Sequence, residues 1–234
     1  MRLRERRRQP ELMDEPGLDP RAHSLALKGL ERINRWSRSN SIVWPPMREL
    51  ARRQPNQALR VLDVATGAGD MPIRLWHRAR RTGVCLEIEA CDISPHALEY
   101  ARSRAKAVGA RTRFFTLDVL HDPLPTDYDV VMSSLFLHHL EEGDAIDLLR
   151  RMSAAARQLV LVNDLRRGVA GFLLAYVGTR VLSSSPIVHI DGPRSVEAAF
   201  TVAEARHLAH EAGLTGAAVV RRWPCRWLLT WRRA

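Results

Sequence analysis

The chain has 234 residues, 46% hydrophobic and 26% charged, with 13 Gly, 13 Pro and 6% aromatics. This composition excludes a disordered or fibrous chain and suits one domain, or a domain and a half, with a substantial core. Thirty-six basic residues against 26 acidic ones give a formal charge of +10, compatible either with nucleic acid or an anionic surface, or with arginines scattered over solvated helices.

Only Lys28 and Lys106 are lysines, so the surplus is arginine. Few basic runs are interleaved with aromatics, which favours the scattered reading. The run Arg2-Leu3-Arg4-Glu5-Arg6-Arg7-Arg8 carries Glu5, is followed by Glu11, Asp14 and Glu15, and leads into no apolar segment. No secretion signal is expected there. Cys85, Cys91 and Cys225 are odd in number and lack zinc-ligand spacing, so a reducing, cytoplasmic home is the expectation.

In chain order, residues 10–20 hold three prolines and a glycine, and residues 21–36 read as a helix with Leu25, Leu27, Leu30, Ile33 and Trp36 on one face. From Leu59 short apolar runs (60–65, 86–91, 113–117, 128–133, 159–163) alternate with helical patterns (71–81, 95–108, 144–157). That alternation predicts a parallel sheet covered on both faces. An apolar helix over 169–182 is interrupted by Arg180 and falls short of a membrane span. An irregular stretch to residue 200 is expected next. Thr201 with Glu204 then reads as a capping box, and 217–222 with 226–231 as an antiparallel pair.

The predicted fold is α/β, a doubly wound seven-stranded, mostly parallel, Rossmann-like sheet. Residues 1–45 form an N-terminal helical arm and residues 46–234 the main domain, with an insert at about 166–200 as a lid.

The chemistry concentrates at strand ends. Asp63-Val64-Ala65-Thr66-Gly67-Ala68-Gly69 ends a strand in a glycine-containing turn that opens a helix, the crevice where open α/β sheets bind ligands. Position 72 is Pro and Asp70 sits at the helix start, so a dinucleotide pyrophosphate is disfavoured, and no Gly-Lys-Ser/Thr exists for a P-loop. A cationic ligand fits better. Asp63 lies inside the end of the first strand, Asp92 closes the second and Asp118 follows the third. An acid at the second strand's tip can accept both ribose hydroxyls, and Asp118 is placed for an adenine amino group.

These motifs resemble the class I S-adenosylmethionine-dependent methyltransferases over about residues 59–165. Residues 63–69, with Ala65, Thr66, Gly67 and Gly69, resemble the family's acid-x-Gly-x-Gly-x-Gly loop. Ala65 replaces the first glycine, a departure tolerable if its φ is negative. The resemblance makes Asp92 and Ile93 the ribose and adenine contacts and Asp118 and Val119 a second adenine pair. The run Asp129 to Leu140 resembles the fourth-strand motif of small-molecule methyltransferases, including those of quinone biosynthesis, so that Ser133 and Ser134 line the cofactor's methionine end. The implied cofactor is S-adenosylmethionine.

Methyl transfer from a sulfonium is an in-line displacement in which the protein aligns the reactants; a phenolic acceptor also needs a base. His138, by resemblance, and His139 are candidates, as are His189 and Asp191, a base and orienter two residues apart. Asn163 and Asp164 end the fifth strand, with Arg166 available to pair with Asp164. No metal cluster is evident in the sequence. The expected acceptor is small and largely apolar, a phenolic or polyketide hydroxyl, with quinone-type C-methylation as the variant. An RNA substrate is disfavoured, because the fourth strand lacks the Asn/Asp-Pro-Pro-aromatic tetrad and Pro45-Pro46 lies elsewhere. No stable nucleic-acid partner is expected, while transient membrane contact is compatible with a lipid-like acceptor. A non-enzymatic domain that only binds the cofactor is the third reading.

Overall fold

The computed structural model describes residues 3–14, 17–37, 39–55 and 57–233. Met1, Arg2, Glu15, Pro16 and Arg38 of the predicted arm lie outside the described residues. Seven strands form one sheet: β1 (Leu59–Val64), β2 (Leu86–Asp92), β3 (Thr112–Thr116), β4 (Tyr128–Ser134), β5 (Ala156–Leu165), β6 (Ala218–Arg222) and β7 (Arg226–Arg232). Their spatial order is β3-β2-β1-β4-β5-β7-β6. The first five are parallel, and β7 runs antiparallel to both β5 and β6. The order reverses between β1 and β4, and a ligand crevice forms at such a switch point.

The strands are apolar on both sides because helices cover both faces. Leu62, Val64, Val131, Val160 and Val162 pack with α5 (Glu142–Ala155) and α8 (Val202–Glu211). Their neighbours Leu59, Val61, Val130, Met132, Leu159 and Leu161 pack with α2 (Ser39–Arg53) and α3 (Asp70–Thr82). The two-residue period of a strand makes that division. Between α3 and α8 the remaining helices are α4 (Pro95–Ala107), α6 (Val169–Leu182) and α7 (Pro186–Ala198); α1 (Pro20–Trp36) starts on an Asp19 cap that accepts from the Ala22 amide.

Two sequence-based expectations are corrected. The arm does not end at residue 45, because that junction cuts α2, whose Ile42, Val43, Trp44, Met47 and Leu50 are all core residues. Pro45 and Pro46 each remove an intrahelical hydrogen bond, which hides this helix from pattern reading; burial of Trp44 and Met47 offsets the loss. Residues 186–198 are not irregular but form α7. Gly192 and Pro193 look like turn residues, yet a Cβ at Gly192 would overlap the Thr179 side chain, so the glycine serves the close approach of α6 and α7.

The basic N-terminal run is a strap across the chain. Arg6 donates from Nε to Ala198 O at 2.6 Å and from Nη2 to His138 O and Leu140 O, and its guanidinium lies 4.0 Å from the Phe200 ring centre. Arg8 pairs with Glu141 at 2.7 Å. Among the described residues no helix is long and apolar enough to cross a membrane.

The capping box of α8 forms as expected: Thr201 Oγ1 accepts from Glu204 N, and Glu204 Oε2 from Thr201 N. Thr201→Ala should cost about 1 kcal/mol, read as a fall in the midpoint of urea unfolding at unchanged slope.

Candidate active site

The carboxyl ends of β1, β2, β4 and β5 converge on a cavity of about 740 Å³, lined by Asp63, Ala65, Thr66, Gly67, Asp92, Ile93, Asp118, Val119, Ser134, His138 and His139 among others. Its size falls in the range of small-molecule sites. Helices α1, α6 and α7, with Glu11, Met13, Gly17 and Leu18, form further walls.

The turn after β1 is held from below. Thr66 N donates to Cys91 O at 2.9 Å, and Gly67 N to Asp92 Oδ2 at 2.7 Å. Asp92 also accepts from Ser94 N at 2.9 Å, so this acid fixes the loop as well as facing the cavity. Gly69 must be glycine, since its φ is +71° and a Cβ would sit 2.9 Å from that of Ala101. Gly67, at φ +54°, has open space above it. Ala65 does not meet the condition of a negative φ: its φ is +55°. The turn imposes a left-handed conformation there, at a cost of roughly 1–2 kcal/mol for an L-residue.

Asp63 is buried. Its Oδ2 accepts from Thr66 Oγ1 at 2.6 Å, whereas Oδ1 is buried with no partner. Burial pushes its carboxyl up to about 7, opposed by the Thr66 hydrogen bond and reinforced by the charge of Asp92. Asp70, at the N-terminus of α3, is matched by Arg104 at 2.5 Å, which reaches Glu31 of α1 at 2.7 Å and so ties the arm to the loop. Asp118 accepts from Leu120 N and bonds His121 Nδ1, which with the charge of His121 keeps its carboxyl below the usual range.

Beyond β4 the chain makes one 3₁₀ turn, Leu137–His139. His138 is 3% exposed, with Nδ1 2.7 Å from Asp164 Oδ1 and its amide donating to Asp164 Oδ2 at 3.0 Å. A carboxylate can only accept, so Nδ1 is the donor of this pair, and in the neutral ring the lone pair is on Nε2. Burial opposes the Asp164 charge, but the His138 ring, its amide and the Leu165 amide hold this carboxyl below the ordinary range. Glu11 Oε1 stands 3.8 Å from His138 Nε2 and 3.9 Å from His139 Nε2.

Three predicted placements are corrected. Ser133 does not line the cavity; it is fully buried and donates to Val64 O at 3.0 Å, stitching β4 to β1, because alternation sends Ser134 rather than Ser133 to the cavity. His189 and Asp191 form no pair, since residues two apart on a helix point away from each other. His189 Nε2 bonds Ser183 O at 2.7 Å, and Asp191 accepts from Leu12 N and Met13 N, anchoring the strap. Burial of Asp191 pushes its carboxyl up to about 6, against the Leu12 amide. Asp164 pairs with His138 and not with Arg166, whose Nε is buried without a partner.

A family model described as a methyltransferase domain matches residues 61–158. A demethylmenaquinone methyltransferase of Thermus thermophilus is 33% identical over 105 residues, 44% of this chain and 46% of that protein. The chain spans less than half the length of the curated relatives it matches. Among solved structures, the S-adenosylmethionine-dependent methyltransferase SibL aligns over 99% of this chain and 64% of its own, with a TM-score of 0.65 at 21% identity. The magnesium protoporphyrin IX methyltransferase of Synechocystis PCC 6803 with bound S-adenosylhomocysteine aligns over 95% and 91%, with a TM-score of 0.58 at 17% identity.

Over residues 61–158 the chain is similar to a methyltransferase domain, and its fold is that of the S-adenosylmethionine-dependent methyltransferases it aligns with.

The cavity fits S-adenosylmethionine on local chemistry. The orphaned, buried Asp63 oxygen calls for a cationic donor, which the ammonium of S-adenosylmethionine provides. The open space at Gly67 admits a ligand close to the backbone. Asp92, Ile93, Asp118 and Val119 lie along the same wall, with Ile93 63% exposed and able to cover a flat ring.

Sequence reasoning missed Glu11, Asn34, Arg74 and Arg226, all of which line the cavity. The strand-end rule that selected the other acids flags Asp164, at the end of β5, but not its partner. Glu11 and Asn34 carry no local signal; they arrive with the strap and α1.

Proposed function

We propose that the chain transfers the methyl group of S-adenosylmethionine to a hydroxyl of a small, largely apolar acceptor, a phenolic or polyketide hydroxyl. The observation that carries this reading is the buried His138–Asp164 pair, whose Nε2 lone pair stands at the cavity beside the β1 loop. The cofactor supplies an electrophilic methyl on a sulfonium, and its leaving group needs no acid. The chain's own task is to align the acceptor oxygen and take its proton. His138 Nε2 accepts the proton, Asp164 stabilises the imidazolium, and Leu27, Leu30 and Ile33 of α1 with Leu174 and Leu182 of α6 give the acceptor an apolar, water-poor wall.

The test is to incubate the chain with methyl-labelled S-adenosylmethionine and a panel of phenols, hydroxynaphthalenes and quinols, then locate the label by mass spectrometry and NMR. Label on oxygen supports the reading. Label on carbon supports the quinone-type variant, which the demethylmenaquinone methyltransferase relative favours. Transfer to RNA, with affinity collapsing at high salt, supports the RNA reading; Arg6 and Arg8 speak against it, being occupied by backbone carbonyls and Glu141. Tight cofactor binding with no transfer to any acceptor supports a binding-only domain.

Transient membrane contact is part of the same proposal. One side of α6 lines the cavity through Gly171, Leu174, Ala175, Gly178 and Leu182. The opposite side exposes Val169, Leu173, Tyr176, Val177 and Val181 with Arg180 among them, and the exposed Trp36 and Trp223, in tilted contact at 5.5 Å between ring centres, add aromatic surface. An apolar stripe bearing arginine suits an anionic bilayer. Leu173→Asp/Val181→Asp should lower flotation with phosphatidylglycerol vesicles several-fold without changing the melting temperature; unchanged flotation removes the contact from the proposal.

A further inference from the structure

Arg226 opens β7 opposite Leu165, one register position from the Asp164–Trp227 pair. It lines the same cavity as His138 and is 3% exposed. Its Nη2 donates to Ser37 Oγ at 2.8 Å, while Nε and Nη1 are buried without a partner. Among the described residues it forms no ion pair. The one carboxylate that acts on its charge is Asp164, whose oxygens already serve the His138 ring, the His138 amide and the Leu165 amide.

A guanidinium has five N–H donors in a fixed fork and remains charged in proteins. Burying it with most of the fork idle is unfavourable unless a ligand completes it. The second Nη2–H, paired with the neighbouring idle Nε–H or Nη1–H, matches the two oxygens of a carboxylate. Arg74 is a weaker candidate, because Asp70 and Glu31 already act on its charge.

We propose that Arg226 is a carboxylate-binding residue of this cavity and that the acceptor is an aromatic or polyketide hydroxy acid, its hydroxyl at His138 and its carboxylate at Arg226. The acceptor assignment rests on the methyl-transfer reading above. The carboxylate chemistry itself does not, since the methionine carboxylate of the cofactor is the other source in reach of the same cavity.

The experiment is calorimetric binding to the full chain, with and without S-adenosylhomocysteine, using 1-hydroxy-2-naphthoate and its uncharged counterpart 1-hydroxy-2-naphthamide as probes. The wild type should bind the naphthoate at least about tenfold more tightly than the amide. Arg226→Met should erase that preference, and Arg226→Lys should retain part of it. In the same proteins, S-adenosylhomocysteine is compared with 5′-methylthioadenosine, which lacks the amino-acid portion. If Arg226→Met weakens the first at least tenfold and spares the second, the carboxylate site stands and its occupant is the cofactor's. The ligand-free Arg226→Met protein should melt at or above the wild-type temperature, because an uncompensated buried charge has been removed. A wild type indifferent to the probe's charge together with unchanged cofactor binding in the variant overturns the proposal. So does a ligand-free variant that melts well below the wild type, which would give Arg226 a structural role. Failure of the methyl-transfer reading shows separately, as a wild type that binds no S-adenosylhomocysteine at all.

Discussion

His138→Gln should lower kcat for methyl transfer by about 10²–10⁴-fold, the usual contribution of a positioned general base, while the dissociation constant for S-adenosylhomocysteine stays within about twofold. The reason lies in the hydrogen bonds of one buried carboxylate. Asp164 holds both the ring and the amide of His138, which fixes the tautomer with Nε2 free to accept a proton. Asp164→Asn should reproduce much of the loss, because an amide that donates toward Nδ1 stabilises the wrong tautomer. Steady-state kinetics against pH with the acceptor that the labelling panel identifies makes the check. A His138→Gln enzyme within threefold of wild type would assign the base elsewhere, Glu11 first, since it stands 3.8 Å from the same nitrogen.

Asp63→Asn should weaken S-adenosylhomocysteine by roughly a hundredfold or more at pH 8, since removing one partner of a buried charge pair costs on the order of 2–5 kcal/mol. The wild-type pH dependence gives the prediction its sign. The Asp63 carboxyl is raised from 3.8 to about 7 in the folded chain, so its contribution to the stability of the ligand-free fold is full below the unfolded value and is lost as pH rises through about 7. Above that pH the fold buries a carboxylate with one unpartnered oxygen. A cationic ligand relieves this, and its binding expels the proton. Affinity should therefore climb by up to about tenfold per pH unit toward pH 7 and level off above it. Asp63→Asn should flatten that slope, which calorimetry between pH 5.5 and 8.5 would show. A slope that persists in the variant would assign the linked proton to another group.

The β1-loop half of the cavity is legible in the sequence because it is local. The acid, the glycine turn and the helix start lie within residues 63–70, and each later acid follows its own strand, so sequence distance and spatial role coincide. The acceptor half is not. His138 carries no hint that Asp164, 26 positions later, orients it; the two meet because β4 and β5 are parallel neighbours whose ends leave the sheet together. The His189–Asp191 pairing fails for a related reason. It presumes an irregular backbone, and once that stretch packs as α7 against α6 the two side chains diverge, one to Ser183 and the other to the strap. The Ala65 expectation fails in the opposite direction: the fold holds an alanine where a left-handed residue is needed, and only the turn's geometry reveals it.

The sequence by itself determined the alternation of strands and helices, the positions of the strand-end acids and the capping box of α8, since these depend on hydrophobic period and on contacts within a few residues. Tertiary structure alone decided that α2 belongs to the core despite its two prolines, that the arginine run is a strap holding backbone carbonyls, and that Glu11, His138, Asp164 and Arg226 share one cavity. Those groups come from four separate stretches of chain, and packing brings them together with burial and charge that no local pattern of residues encodes.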